Sequence, residues 1–227
     1  MKCMKSNRGR VALALLLLAP LALGRRHLPR NDGPPPLLPG AEQIRVSHCP
    51  AEGQGACAEV ILGRLLLNDP GQSAFADRLL LNDLAALGVA DFETASLTAA
   101  LERTPQSLNA RVDLYGTTPD YLVLWHRGPA GEDFQLLPRR GPARALGLAE
   151  VLRPDRGEQF RALLQASGVP AGLSPAQFNW TPTPGGLRLR LPAAGLDFTL
   201  PTAALAEVLR PEFLAQLRAF RLHRVEN

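Results

Sequence analysis

Leu187, Leu189 and Leu191 alternate with Arg188 and Arg190, and Leu196, Phe198 and Leu200 alternate with Asp197 and Thr199. A period of two is the mark of a strand with one buried face. Pro192 to Gly195 then form the loop of a hairpin. If Leu191 pairs with Leu196, Leu189 meets Phe198 on the apolar face and Arg190 meets Asp197 on the polar one, so register and charge agree. The same period runs through Leu108 to Tyr115, where Leu108, Ala110, Val112 and Leu114 alternate with Asn109, Arg111, Asp113 and Tyr115. The turn at Gly116 to Asp120 leads into a second strand, Tyr121 to Arg127, and the turn at Gly128 to Asp133 into a third, Phe134 to Leu137. These three predict an antiparallel meander. Glu59 to Leu67 reads as an earlier strand followed by a turn at Asn68-Asp69-Pro70-Gly71, and Gln177 to Trp180 as a short one before a Pro/Gly turn at Thr181 to Gly186.

Elsewhere the period is helical. Ser73 to Leu87 carries Phe75, Leu79, Leu80, Leu84 and Leu87 and stops at Gly88, while Asp91 to Arg103 carries Phe92, Leu97 and Leu101 and stops before Pro105. Asp155 to Ser167 places Phe160, Leu163 and Leu164 on one side and ends at Gly168. The heptapeptide Leu-Ala-Glu-Val-Leu-Arg-Pro occurs twice, at Leu148 to Pro154 and at Leu205 to Pro211. In each copy the apolar residues fall at i, i+3 and i+4, which predicts two similar helices docked on the sheet, with Phe213, Leu217 and Phe220 of the tail covering it. The expected fold is α+β: an antiparallel sheet with helices packed on one face.

The beginning of the chain reads differently. Lys2, Lys5, Arg8 and Arg10 precede an apolar run from Val11 to Gly24 that ends in small residues, the pattern of a signal peptide over 1–24. The run is broken by Pro20 and falls short of the ~20 residues of a membrane span. Residues 25–40 hold Pro29, Pro34, Pro35, Pro36 and Pro39 and read as a stiff linker. The expected organisation is completed by residues 41–107, an N-terminal strand and helices, and 108–227, an α+β region, the two forming one compact domain.

This organisation alters the reading of charge. The chain has 25 basic and 21 acidic residues, and four of the basic ones lie in the signal segment, so the remainder is balanced. Balance argues against nucleic acid as a partner. Beyond the signal segment only Cys49 and Cys57 remain, in a glycine-containing loop. Export favours a disulfide between them; the competing reading is a metal site formed by His48, Cys49, Cys57 and Glu52, whose spacing matches no tetrahedral zinc pattern. No metal or cofactor is expected.

The order of these pieces is informative in its own right. Leu148-Ala149-Glu150-Val151-Leu152, then Phe178-Asn179-Trp180-Thr181, Pro184-Gly185-Gly186-Leu187, and Phe198-Thr199-Leu200-Pro201 running into Leu205-Ala206-Glu207-Val208-Leu209 resemble the RsiV-like C-terminal domain of unknown function. That domain forms the extracytoplasmic part of RsiV-type anti-sigma factors and accompanies some polysaccharide deacetylase domains. The likeness spans about Leu108 to Leu209. It implies an exported α+β binding or sensory domain, since some relatives recognise lysozyme or lie in cell-wall proteins.

Candidate site residues are few. Trp125 and Trp180 could stack on a glycan ring or anchor a protein, although each continues an apolar strand and so suits a core. Arg188 and Arg190, with Arg139 and Arg140, could bind an anion or simply face solvent. His126, near Glu132 and Asp133, could serve as a general base, but no nucleophile motif accompanies it. The expected function is a non-enzymatic, exported binding or sensory domain whose partner is an envelope protein or a peptidoglycan-related ligand. It would meet the membrane only through the signal segment. The alternatives are an envelope hydrolase or transferase built on His126, and a structural assembly module.

Overall fold

The computed structural model describes residues 39–51 and 56–223. The expected signal segment, most of the expected linker and Glu52 lie outside the described residues. The fold is α+β, built on two sheets. The larger has the order β1 (Gly40–His48), β2 (Ala58–Leu66), β3 (Leu108–Thr117), β4 (Tyr121–Gly128) and β5 (Gly131–Pro138). All neighbours are antiparallel except β2 and β3, which run parallel because two helices intervene, α1 (Pro70–Leu84) and α2 (Thr94–Arg103).

β1 was not anticipated. It pairs with β2 from Gly40–Leu66 to His48–Ala58, and the Cys49–Cys57 disulfide closes the hairpin just beyond the last pair. Asn68 to Gly71 is less a turn than a helix start: Asp69 caps α1 by accepting from the Gln72 amide at 2.9 Å, and Pro70 occupies the first turn, where its missing N–H costs nothing. After α1 a 3-10 turn, Ala85–Leu87, ends at Gly88, whose φ of +69° suits a residue without Cβ.

Alternation sorts the side chains of the large sheet between two cores. Val46, Val60, Leu62, Leu108, Ala110, Val112, Leu114, Leu122 and Leu124 point toward α1 and α2 and form the first core with Leu80, Leu84, Leu97 and Leu101. Arg64 fixes α1 to β2 through a bidentate contact with Asp77 at 2.7 and 2.6 Å. On the other face Val123, Phe134 and Leu136 belong to a second core, and a bulge at Tyr115, between the Leu114–Leu124 and Gly116–Val123 pairs, turns that ring to the same side. The expected coverage of one face therefore becomes coverage of both, each by different partners.

The second core is closed by the smaller sheet, β6 (Asn179–Thr183), β7 (Gly186–Leu191) and β8 (Leu196–Pro201). Its register matches the expected one: Leu189 opposes Phe198, Arg190 opposes Asp197 and Leu191 opposes Leu196. Leu187 and Leu189 are fully buried, and Phe198 is partly buried against the same core. The small strand β9 (Arg221–Leu222) pairs with the end of β3 that β2 leaves unpaired.

The repeated heptapeptides differ from expectation. Neither is a rod. The first gives one helical turn, α3 (Leu148–Val151), followed by a 3-10 turn at Pro154–Arg156 and α4 (Gly157–Ala166). The second ends the turn α5 (Thr202–Leu205) and leads into α6 (Pro211–Arg218). Between these helices the two copies bind each other. Leu152 and Leu209 form an antiparallel bridge, the Arg153 amide donates to the Val208 carbonyl at 2.9 Å, and the Arg210 amide donates to the Val151 carbonyl at 3.0 Å. Identical positions exchange identical bonds, so the copies are related by a local twofold. The two leucines and the valine of each copy are buried in the second core, and the closing proline opens the next helical segment, the 3-10 turn before α4 in the first copy and α6 itself in the second.

Candidate functional site

The second face of the large sheet is only partly covered. From β1 to β4 it presents Gln43, Arg45, Asn109 and Arg127, which are exposed, and Ile61, Arg111, Asp113 and Trp125, which are half-buried. Trp125 sits at the border, with one side in the second core and the other open. The Arg111 guanidinium carbon lies 5.7 Å from the centre of its ring. Arg111 also contacts Asp113 at 2.6 and 2.8 Å. It can lie flat because its neighbour on β2 is Gly63; a Cβ there would come within 2.8 Å of the Arg111 Cβ. Asp113 and Phe134 are the strand partners of Trp125, so an aromatic and apolar strip on one side meets a charged strip on the other.

The polar face of the small sheet extends this border. Arg188 holds Asp197 bidentately at 2.7 and 2.6 Å, and Arg190 reaches both Asp197 and Glu132 at 3.4 Å. The Arg188 hydrogen bonds hold the Asp197 carboxyl below its usual range, and the same bonds raise the Arg188 guanidinium. Glu132 belongs to β5, diagonally across from Trp125, and the Asn179 side chain accepts from the Phe134 amide at 3.3 Å. Glu132, Arg188, Arg190 and Trp125 thus share one side of the molecule. Arg188 and Arg190 are engaged within this network and act as a charged rim.

The other two candidates go elsewhere. His126 points to the first core, where its Nε2 lies 2.8 Å from the Asp83 Oδ2 of α1. Both side chains are largely enclosed, at 14% and 11% exposure, so the pair joins helix to sheet. Gly128 makes room for it, as a Cβ there would come within 2.5 Å of Asp83. Asp133 shares the His126 face as its strand partner, whereas Glu132 lies on the opposite face. Trp180 is 7% exposed and packs edge-on against Phe213 at 5.9 Å, in the second core. Sequence reasoning overlooked Arg111, Asp113 and Gly63. Alternation in β3 already put Arg111 and Asp113 on the wetter side, but only the pairing of β2 beside β3 brings Gly63 under them.

The uncovered face presents a half-buried indole, a guanidinium over its ring and carboxylates held by arginines. Cys49 and Cys57 are joined as a disulfide. Among the described residues no helix is long and apolar enough to cross a membrane.

No family model matches the chain, and no curated protein matches it. Among solved structures it is similar to a DUF3298 family protein from Pseudomonas aeruginosa PAO1, with 16% sequence identity and a TM-score of 0.48, over 78% of this chain and 96% of that one.

Proposed function

We propose that this chain is an exported, non-catalytic binding domain of the cell envelope, and that its ligand, an envelope protein or a fragment of the wall, docks on the uncovered part of the large sheet around Trp125. The observation that carries the reading is the position of Trp125, which borders the second core while Arg111 lies over its ring and Arg127 and Glu132 flank it. An aromatic residue held rigidly by a core and rimmed by paired charges loses little freedom on binding, which favours recognition. The signal-like segment and the disulfide support export. The order of elements from Leu108 to Leu209 supports kinship with RsiV-like domains.

Pull-down from envelope extract, paired with co-sedimentation on purified wall, tests this. The wild-type domain should retain a ligand that the Trp125→Ala and Arg111→Ala variants lose, with thermal melts showing all three folded. Retention by both variants equal to wild type would contradict the proposal.

A further inference from the structure

The large sheet ends at β5 on one side and at β1 on the other, and the two edges are built differently. At β5 the Asn179 side chain accepts from the Phe134 amide at 3.3 Å, and the Leu146 amide donates to the Leu136 carbonyl at 2.8 Å. The outer edge of β1 has no strand beside it among the described residues. β1 pairs with β2 over nine residues without a bulge, holds no proline or lysine, and is pinned at its end by the Cys49–Cys57 disulfide. Its acid and its arginine both turn inward onto β2: Glu42 meets Arg64 at 3.2 Å, and Arg45 holds Glu59 through Nε and one terminal nitrogen. Open edges are commonly guarded by a bulge, a proline or an outward charge, and β1 has none of these. Its row of N–H and C=O groups is already ordered, so a further strand can add to it at little cost in freedom.

The strand that fits this edge is β1 itself. A twofold axis perpendicular to the sheet sets β1 antiparallel to its equivalent and keeps each face of the sheet on its own side, so a residue can oppose only those an even number of places from it. One such register overlaps the whole of Gly40–His48, with the axis at Ile44. On the side of the first core it sets Ile44, half-buried in the single chain, against Ile44 of the second molecule, and Glu42 against Val46. On the open side it sets Gln43 against Arg45 and Ala41 against Ser47. No like charges meet, and the smallest residues, Gly40 and Ala41, oppose His48 and Ser47. The terminal nitrogen of Arg45 that Glu59 does not use has the Gln43 side-chain carbonyl for a partner. Moving the axis one residue either way shortens the overlap, and it sets Arg45 against Arg45 or the Glu42 carboxylate against Ile44.

We infer that the outer edge of β1 is an interaction surface for a second molecule of this chain, paired antiparallel strand to strand with the axis at Ile44. The two large sheets then run on as one, five strands from each molecule, and the uncovered face of each lies on the same side. Main-chain hydrogen bonds hold the pair together, and the Ile44 contact with the Gln43–Arg45 match on either side of it fixes the register.

The test is sedimentation equilibrium of the full chain, with cysteine cross-linking to read the register. Wild type should show a reversible equilibrium between monomer and dimer. Gln43→Arg alters an exposed residue and sets two like-charge pairs across the axis, so the dimer should weaken about fivefold, whereas Gln43→Glu should tighten it. Ile44→Cys should give a covalent dimer on mild oxidation, because residues directly opposite in an antiparallel pair lie about 5 Å apart at Cα, within reach of a disulfide. Gln43→Cys alone should not, and it should cross-link to Arg45→Cys when the two variants are mixed. A chain that stays monomeric up to about 1 mM, an equilibrium unchanged by both Gln43 substitutions, or a covalent dimer of Gln43→Cys without one of Ile44→Cys would each overturn the inference. None of these readouts depends on Trp125.

Discussion

From β3 to α4, and again from β6 to α6, the chain runs through three antiparallel strands, a Leu-Ala-Glu-Val-Leu-Arg-Pro stretch and a helix that buries a phenylalanine, Phe160 in one case and Phe213 in the other. The two halves share a plan, yet their strands diverge. The first meander has strands of 10, 8 and 8 residues, joins β1 and β2, and faces a core on both sides. The second has strands of 5, 6 and 6 residues, with one leucine-rich face and one arginine-bearing face. Only the heptapeptide is kept word for word, and the structure gives a reason. Each copy buries the same Leu, Val and Leu side chains in one shared core on either side of the bridge, so a change of side chain in either copy is felt by both. The strands carry no such mutual constraint.

The largest expected effects lie at that bridge. Leu209→Ala should cost about 3 kcal/mol in urea unfolding, the middle of the range for a buried leucine, and Leu152→Ala slightly less because Leu152 is nearer the surface. If the halves are mutually dependent, the double variant should lose less than the sum of the two, since both open the same cavity. Strict additivity would break the comparison.

Much of this plan could be read in the sequence, and the failures have physical causes. The hairpin of β7 and β8 was legible to the residue because a short loop and two charges fix its register. The helical reading of the heptapeptides failed because spacing at i, i+3 and i+4 over one turn is compatible with a single turn, and a proline after the arginine ends whatever precedes it. β1 is not legible although Glu42, Ile44 and Val46 alternate with Gln43 and Arg45; two apolar residues make a weak signal, and the Cys49–Cys57 disulfide, though expected, does not by itself announce a strand on each side of it. The site was legible only in pieces. Trp125 was found as an aromatic in a strand, but whether a strand tryptophan is sunk, as Trp180 is, or left at a border depends on how far the opposite layer extends. His126 looked like chemistry because no pattern in the sequence places Asp83 of α1 beside it.

The hairpin of β1 and β2 lies outside the two halves. Removing the disulfide by Cys49→Ser with Cys57→Ser should destabilise by about 2.5 kcal/mol in the chain-entropy estimate for so short a loop. Hydrogen exchange should show the loss concentrated in β1 and β2, with the bridge amides unaffected; a uniform increase would mean that the hairpin and the halves unfold as one unit. Smaller still, His126→Ala should cost about 1.5 kcal/mol, the worth of a hydrogen bond to a charged group. It should leave ligand retention at the Trp125 face intact. Loss of binding with stability unchanged would reverse the roles assigned to Trp125 and His126.

The smallest effect separates the two copies by pH. Contacts with Arg144 and the Gly147 amide lower Glu150 from 4.5 to about 2. A lowered folded value means that the stabilisation is complete above pH 4.5 and fades as the pH falls toward 2. The group is exposed, so solvent screening reduces the effect to roughly 0.5 kcal/mol. Acid titration of stability should therefore flatten in Glu150→Gln across that interval and remain unchanged in Glu207→Gln, the matching residue of the second copy. Identical profiles for the two variants would remove this distinction between the halves.

The most direct test of the paired frame is native-state hydrogen exchange at the Arg153 and Arg210 amides. Each donates across the bridge to the other copy, so both should exchange slowly and by the same opening, with matching protection that falls together in Leu209→Ala. Rapid exchange at either amide while the other stays protected would show that the two copies do not hold each other.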